Sequence, residues 1–276
     1  MPAPWAIPDL YLPVGGALLR YRDQGRGPAV LLIHGWTLDL EMWEPQVASL
    51  GGSFRLVRLD RRGFGLSSGR ASLAADVQDV LALCDSLRLG RLACVGMSQG
   101  ARVAMHLCRI APERLSCVVL DGPPRMLAAD AAASGQEDVP LAEYRDLIAR
   151  GDVAAFRGRW LRHPLMRLES RSPRSQALLE RMTARYNGDD LLREPGVPPD
   201  HWDAALAASL RTPALIVTGA HDLPARVRAA DALAAMLPAA ERAIIDGAGH
   251  LPNLDNPPSY DAILRAFLER HAGPRH

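Results

Sequence analysis

The segment Gly96-Met97-Ser98-Gln99-Gly100 constrains this chain more than any other. An apolar run at residues 92–95 leads into it, and a helical pattern opens at Gln99, passes through Val103, Leu107 and Ile110 and stops before Pro112. A strand that turns directly into a helix leaves no room for side chains two positions either side of Ser98, and glycine stands at both places. Such a turn strains the serine backbone, lifts its hydroxyl above the sheet edge and sets it at a helix N-terminus. Free N–H groups and the helix dipole there favour negative charge. This is the context that a G-x-S-x-G nucleophile needs.

Further apolar runs at residues 29–33, 55–59, 116–120, 214–218 and 242–245 are rich in Val, Ile and Leu, as strands buried on both faces require. Helical patterns separate them. Leu73, Val77, Val80, Cys84 and Leu87 recur at threes and fours, with Ser72 as the expected N-cap and Gly90 as the expected C-terminal stop. Ile263, Leu264, Phe267 and Leu268 form a last amphipathic stretch after Pro257–Pro258. Alternating strand and helix predict an α/β fold with a doubly wound, mostly parallel sheet. The rhythm breaks between residues 123 and 211, where only helical stretches occur, at residues 141–150, 152–161 and 172–186. The simplest division is a core of residues 1–122 and 212–276 with a helical insertion at 123–211.

A serine hydroxyl is a weak nucleophile and needs a base. Of the 8 histidines, His250 is best placed, in the Gly-rich loop Asp246-Gly247-Ala248-Gly249-His250 after the last strand run. His34 is its main competitor but reads as part of a loop that supplies backbone donors. The base in turn needs an acid to fix its tautomer. Asp222 follows residues 214–218 in the turn Gly219-Ala220-His221-Asp222, while Asp121, at the end of an earlier core strand, is the alternative. Charge developing on a carbonyl oxygen calls for preorganised donors. The expected pair is the backbone N–H of Gln99 and that of Trp36, in the loop His34-Gly35-Trp36.

Composition narrows the partners. The net charge is +1 and the basic residues are all arginine, interspersed with Asp and Glu, so no overall field draws the chain to nucleic acid or an anionic membrane. Aromatic residues make up 5%, too few for a base-stacking platform. The 4 cysteines have no metal-ligand spacing and read as buried thiols suited to a reducing compartment. The first residues carry no secretory pattern, and no apolar stretch approaches the roughly 20 residues that span a bilayer. A cytoplasmic protein with a small-molecule substrate is expected, with no metal.

His34-Gly35-Trp36, Met42-Trp43-Glu44-Pro45-Gln46, Asp60-Arg61-Arg62-Gly63-Phe64-Gly65-Leu66-Ser67, the Ser98 motif, Gly219-Ala220-His221-Asp222 and the run from Gly249 to Pro257 together resemble the α/β-hydrolase superfamily in order and spacing. Within it they look most like 3-oxoadipate enol-lactonase and related small esterases. The resemblance covers nearly all of the core and little of the insertion. It implies an eight-stranded sheet, a helical cap over the serine, no cofactor, and hydrolysis of a carboxylic ester or lactone by Ser98, His250 and Asp222. Trp36 and the cap residues Met126, Trp160, Met166 and Trp202 are then candidate substrate contacts. Serine rather than aspartate at position 98 argues against dehalogenation. An acyltransferase, a perhydrolase or a C–C bond hydrolase with the same triad, and a non-catalytic receptor for a small ligand, are the alternatives.

Overall fold

The computed structural model describes residues 7–124, 139–192 and 204–273. Eight strands form one sheet: β1 (Leu10–Val14), β2 (Ala17–Gln24), β3 (Ala29–Ile33), β4 (Arg55–Leu59), β5 (Leu92–Met97), β6 (Leu115–Asp121), β7 (Ala214–Gly219) and β8 (Ala240–Ile245). Their order across the sheet is β1-β2-β4-β3-β5-β6-β7-β8. β1 and β2 pair antiparallel, as do β2 and β4, and every other pair is parallel. The chain thus enters as a hairpin and then winds outward in both directions from β3, so β3 and β5 flank the switch point where ligands of open α/β sheets bind.

Side-chain alternation assigns the strands to two cores. In β3, Val30 and Leu32 face one apolar cluster while Leu31 and Ile33 face the other. β7 repeats this, with Leu215 and Val217 on the first side and Ala214 and Ile216 on the second. The second face is covered by α2 (Leu73–Ser86), α3 (Gln99–Ile110) and α8 (Pro224–Met236), through residues such as Val80, Val103 and Leu233. The first is covered by α1 (Glu44–Leu50) and α9 (Pro257–His271), through Leu50, Leu264 and Phe267. Both faces are buried, which is why these strands read as continuous apolar runs.

The stop of α2 differs from the expected Gly90. The helix ends at Ser86, and Arg88 takes the left-handed conformation, with φ 51°. Leu89 N–H donates to the Cys84 carbonyl at 2.8 Å and Arg88 N–H to the Asp85 carbonyl at 3.0 Å, the two bonds of a Schellman motif. Leu89 is buried in the second core, so burying that residue fixes the left-handed stop at Arg88, two positions before the glycine. Ser72 caps the other end as expected, accepting from Ala75 N–H.

Between β6 and β7 the described residues hold helices and no strand: α4 (Leu141–Ala149), α5 (Val153–Trp160), α6 (Pro173–Arg185) and α7 (Ala204–Ser209). Tyr144, Phe156, Trp160, Leu179 and Tyr186 join the first core and close over the C-terminal edge of the sheet. α7 packs elsewhere: Ala207 is buried in the second core beside α8. Polar bonds fasten α6 to the core, from Arg185 Nε to Asp39 Oδ2 at 2.7 Å and from Arg181 Nε to Glu41 Oε2 at 2.9 Å. Among the described residues no helix is long and apolar enough to cross a membrane.

Candidate active site

Ser98 sits between β5 and α3 with φ 51° and ψ −111°, a backbone conformation that L-residues rarely adopt. The flanking glycines explain how the turn closes. A Cβ on Gly96 would stand 2.2 Å from the Gly100 carbonyl oxygen, and one on Gly100 would stand 2.3 Å from that of Ile33. Both obstacles are backbone and cannot swing away. The Ser98 N–H donates to the Asp121 carbonyl at 2.8 Å, which ties the turn to β6.

His250 Nδ1 lies 2.8 Å from Asp222 Oδ2, and both side chains are nearly inaccessible to solvent. The two loops that present them are zipped together. His221 N–H donates to the Ala248 carbonyl, and a Cβ on Gly219 would meet the Gly249 oxygen at 2.1 Å. Asp255 Oδ2 accepts from Gly249 N–H at 2.8 Å, holding the residue before His250. Burial alone would raise the Asp222 carboxyl. The facing His250, the Leu223 N–H and Arg226 outweigh it and hold the group below the usual carboxylate range, so it is ionised at neutral pH. Asp121, the alternative acid, is fully buried with the Tyr260 hydroxyl beside it, and burial pushes its carboxyl well above the usual range. It is Asp222, and not Asp121, that faces the His250 ring nitrogen.

Ser98, His250, Trp36 and Gln99 line one cavity of about 670 Å3. Trp160 and Met166 line it as well, with Phe64, Leu165 and Leu191. Met126 and Trp202 lie outside the described residues. Trp36 packs edge-on against Trp160 with ring centroids 4.9 Å apart, and its Nε1 donates to Asp190 Oδ2 at 2.7 Å. Gly35 is pressed against the nucleophile turn, since a Cβ there would meet Met97 Sδ at 2.5 Å and Ser98 Cβ at 3.4 Å. The Gly35–Trp36 peptide therefore lies beside Ser98. The Trp36 N–H belongs to that peptide, and the Gln99 N–H opens α3 directly after Ser98. An oxyanion is the ligand such a pair suits.

His34, the competing base, is committed elsewhere. Its Nε2 accepts from Arg61 N–H at 2.9 Å, which puts the proton on Nδ1, 2.7 Å from the Gly35 carbonyl. Complete burial and the neighbouring Arg61 hold it neutral, well below the usual histidine range. The Asp60–Ser67 loop supports its neighbours. Asp60 Oδ1 accepts from Leu40 N–H and Oδ2 from Leu66 N–H, each at 2.8 Å. Three residues of the site escaped sequence reasoning. Asp190 collects the Trp36 indole and the Tyr186 hydroxyl, Thr37 accepts from Trp160, and Arg61 reaches Gln99. The bonds Trp36–Asp190, Trp160–Thr37 and Arg61–Gln99 join segments between 38 and 154 residues apart, and no local pattern announces such pairs.

A family profile described as the alpha/beta hydrolase fold matches residues 28–257. The pimeloyl-(acyl-carrier protein) methyl ester esterase of Edwardsiella ictaluri is 30% identical over 250 residues, covering 87% of this chain and 93% of that protein. A thermophilic esterase from Thermogutta terrifontis superposes with a TM-score of 0.79 at 26% identity, over 95% of this chain and 98% of its own. The enol-lactonase from Burkholderia xenovorans LB400 also superposes at 0.79, over 94% of this chain and all of its own, and at 24% identity that likeness is one of fold.

Proposed function

Because this chain belongs to the α/β-hydrolase fold family, we propose that it cleaves a carboxylic ester or lactone of a small molecule through an acyl-enzyme on Ser98. The observation that carries this reading is the buried His250–Asp222 pair, 2.8 Å apart, with His250 and a serine in a strained turn on the wall of one cavity. Esterases among its relatives support the choice of bond.

In this mechanism His250 Nε2 takes the hydroxyl proton as Ser98 Oγ bonds to the substrate carbonyl carbon. The carbonyl π pair moves onto oxygen, and the N–H groups of Trp36 and Gln99 receive that charge. Asp222 holds the proton on Nδ1 and stabilises the imidazolium. His250 then gives its proton to the leaving oxygen as the C–O bond breaks. Water attacks the acyl-enzyme with His250 again as base, and the acid leaves. Residues 1–122 and 212–276 serve as the core and residues 123–211 as the cap, with α7 resting against the core side. Trp36, Trp160 and Met166 are the proposed contacts for the acyl or alcohol part.

The test is turnover of a panel of p-nitrophenyl esters and lactones by the wild-type chain and by Ser98→Ala. Hydrolysis by the wild type and its loss by at least about 10³-fold in the variant, with an unchanged melting temperature, is the expected result. Equal turnover by both removes Ser98 from the reaction.

A further inference from the structure

One charged side chain on the cavity wall has no part in the steps above. Arg61 directly follows Asp60 after β4 and is only 2% exposed, yet its guanidinium reaches both sides of the nucleophile turn. Nη2 donates to Gln99 Oε1 at 2.9 Å and to the Gly35 carbonyl at 3.4 Å. Nη1 donates to Asp76 Oδ2, on α2, at 2.9 Å. The Phe64 ring lies under the cation, 4.5 Å from Cζ. The backbone of the same residue acts as well, because Arg61 N–H fixes the tautomer in which His34 Nδ1–H also donates to Gly35 oxygen.

The Gly35 carbonyl therefore has two donors, one from the side chain of Arg61 and one from a histidine that Arg61 orients. In a trans peptide the N–H points opposite to the C=O. Clamping the Gly35 oxygen thus fixes the direction of the Trp36 N–H. The second bond fixes the Gln99 side chain, on the residue that carries the other N–H. We propose that Arg61 is a positioning residue for the oxyanion hole, locking the Gly35–Trp36 peptide and Gln99 in register. A neutral ground-state carbonyl gains little from donors held in that register, whereas a tetrahedral oxyanion gains much more, so the effect belongs to the transition state. The inference rests on the hydrolase reading above. A residue that merely packed its loop would need none of the contacts to Gly35 and Gln99.

Two variants test it. Arg61→Lys keeps the charge but loses the fork that reaches three partners at once. Arg61→Met combined with Asp76→Asn removes both members of the buried pair, so that no lone carboxylate is left behind. Each is assayed for kcat and KM on a p-nitrophenyl ester. Each is also assayed for inhibition by a trifluoromethyl ketone and by the matched secondary alcohol. Ser98 Oγ adds to the ketone carbon, its proton passes to His250 and the ketone oxygen becomes an oxyanion, while the alcohol binds uncharged. The expected result in both variants is a fall in kcat of about 10- to 100-fold with KM within about threefold. The ketone Ki should rise by the same factor and the alcohol Ki should stay put. A folded variant that keeps kcat within about threefold, or that weakens ketone and alcohol alike, overturns the proposal. If the double variant does not unfold cooperatively, Arg61→Lys decides by the same criteria. A wild-type chain that neither turns over esters nor binds the ketone overturns the hydrolase reading itself, a different outcome from wild-type activity that survives loss of Arg61.

Discussion

Trp160 Nε1 donates to Thr37 Oγ1 at 2.6 Å, and Thr37 has a left-handed backbone with φ 63°. A β-branched residue in that region costs on the order of 1–3 kcal/mol unless its surroundings hold it there. Thr37 directly follows Trp36, so a helix that covers the cavity braces the loop expected to receive the oxyanion. Trp160→Phe removes the donor and retains a ring against Trp36. The expected outcome is a kcat lowered about 3- to 10-fold and a stability loss of about 1 kcal/mol by thermal unfolding, the worth of one buried hydrogen bond. Unchanged values in both measurements would remove the brace.

The two candidate acids separate by substitution. Asp222→Asn keeps shape but withdraws the charge that fixes the His250 tautomer, and kcat is expected to fall about 10³- to 10⁴-fold. Asp121 is buried away from the His250 ring, and burial pushes its carboxyl well above the usual range. Asp121→Asn is expected to stay within about threefold of wild type in ester turnover. Exchanged effects would transfer the acid to β6.

Glu41 predicts how stability depends on pH. Burial alone would raise its carboxyl, but the bonds from Arg185, Arg181 and Arg20 outweigh that and bring it from an ordinary 4.5 down to about 2. A carboxyl depressed in the folded state stabilises it fully above the unfolded value, and the contribution is lost as pH falls from 4.5 towards 2. For Asp60 and Asp76 the facing arginines do not outweigh burial, which raises both to about 6. Their contribution to stability therefore declines as pH rises from 3.8 to about 6. Glu41→Gln is expected to lose about 2 kcal/mol at pH 7, with the deficit shrinking below pH 4.5. Melting curves taken from pH 7 down to pH 2 check this, and a deficit constant over the whole range would contradict it.

Gly100→Ala tests the elbow itself. The added methyl would lie 2.3 Å from the Ile33 carbonyl, so α3 must move away from β3. Loss of soluble protein, or activity at most about a hundredth of wild type with a melting temperature lowered by several degrees, is expected. Wild-type behaviour in this variant would show that the turn tolerates a side chain there.

How far the molecule can be read from sequence depends on whether the interactions are local. β3 and β5 are apolar along their whole length because both faces are buried, and Gly96 reports a steric need within five residues, its obstacle being the Gly100 oxygen. β1 and β2 carry no such mark. Leu10, Tyr11 and Leu18 are exposed at the sheet edge, and β2 buries Arg20, a charge tolerated only because Asp9, Glu41 and Asp60 converge on it from other segments. The same reasoning separates the site residues. Ser98, His250 and Asp222 each follow a strand in a distinctive turn. Arg61 reads as one arginine of a Gly-rich loop until the fold sets Gly35 and Gln99 against it. Asp190, in the polar turn Asn187-Gly188-Asp189-Asp190, acquires its meaning from Trp36, 154 residues away.

The proposed mechanism makes Ser98 a nucleophile that depends on His250 for its reactivity. The most direct measurement is incubation of the intact protein with a fluorophosphonate, followed by peptide mapping by mass spectrometry. The serine oxygen should displace fluoride, leaving a single phosphonyl group on the peptide that contains Ser98, and the adduct should vanish in Ser98→Ala and form at least about 100-fold more slowly in His250→Ala. A phosphonyl group on any other residue of the wild-type chain, or labelling of Ser98 at an unchanged rate without His250, would contradict it.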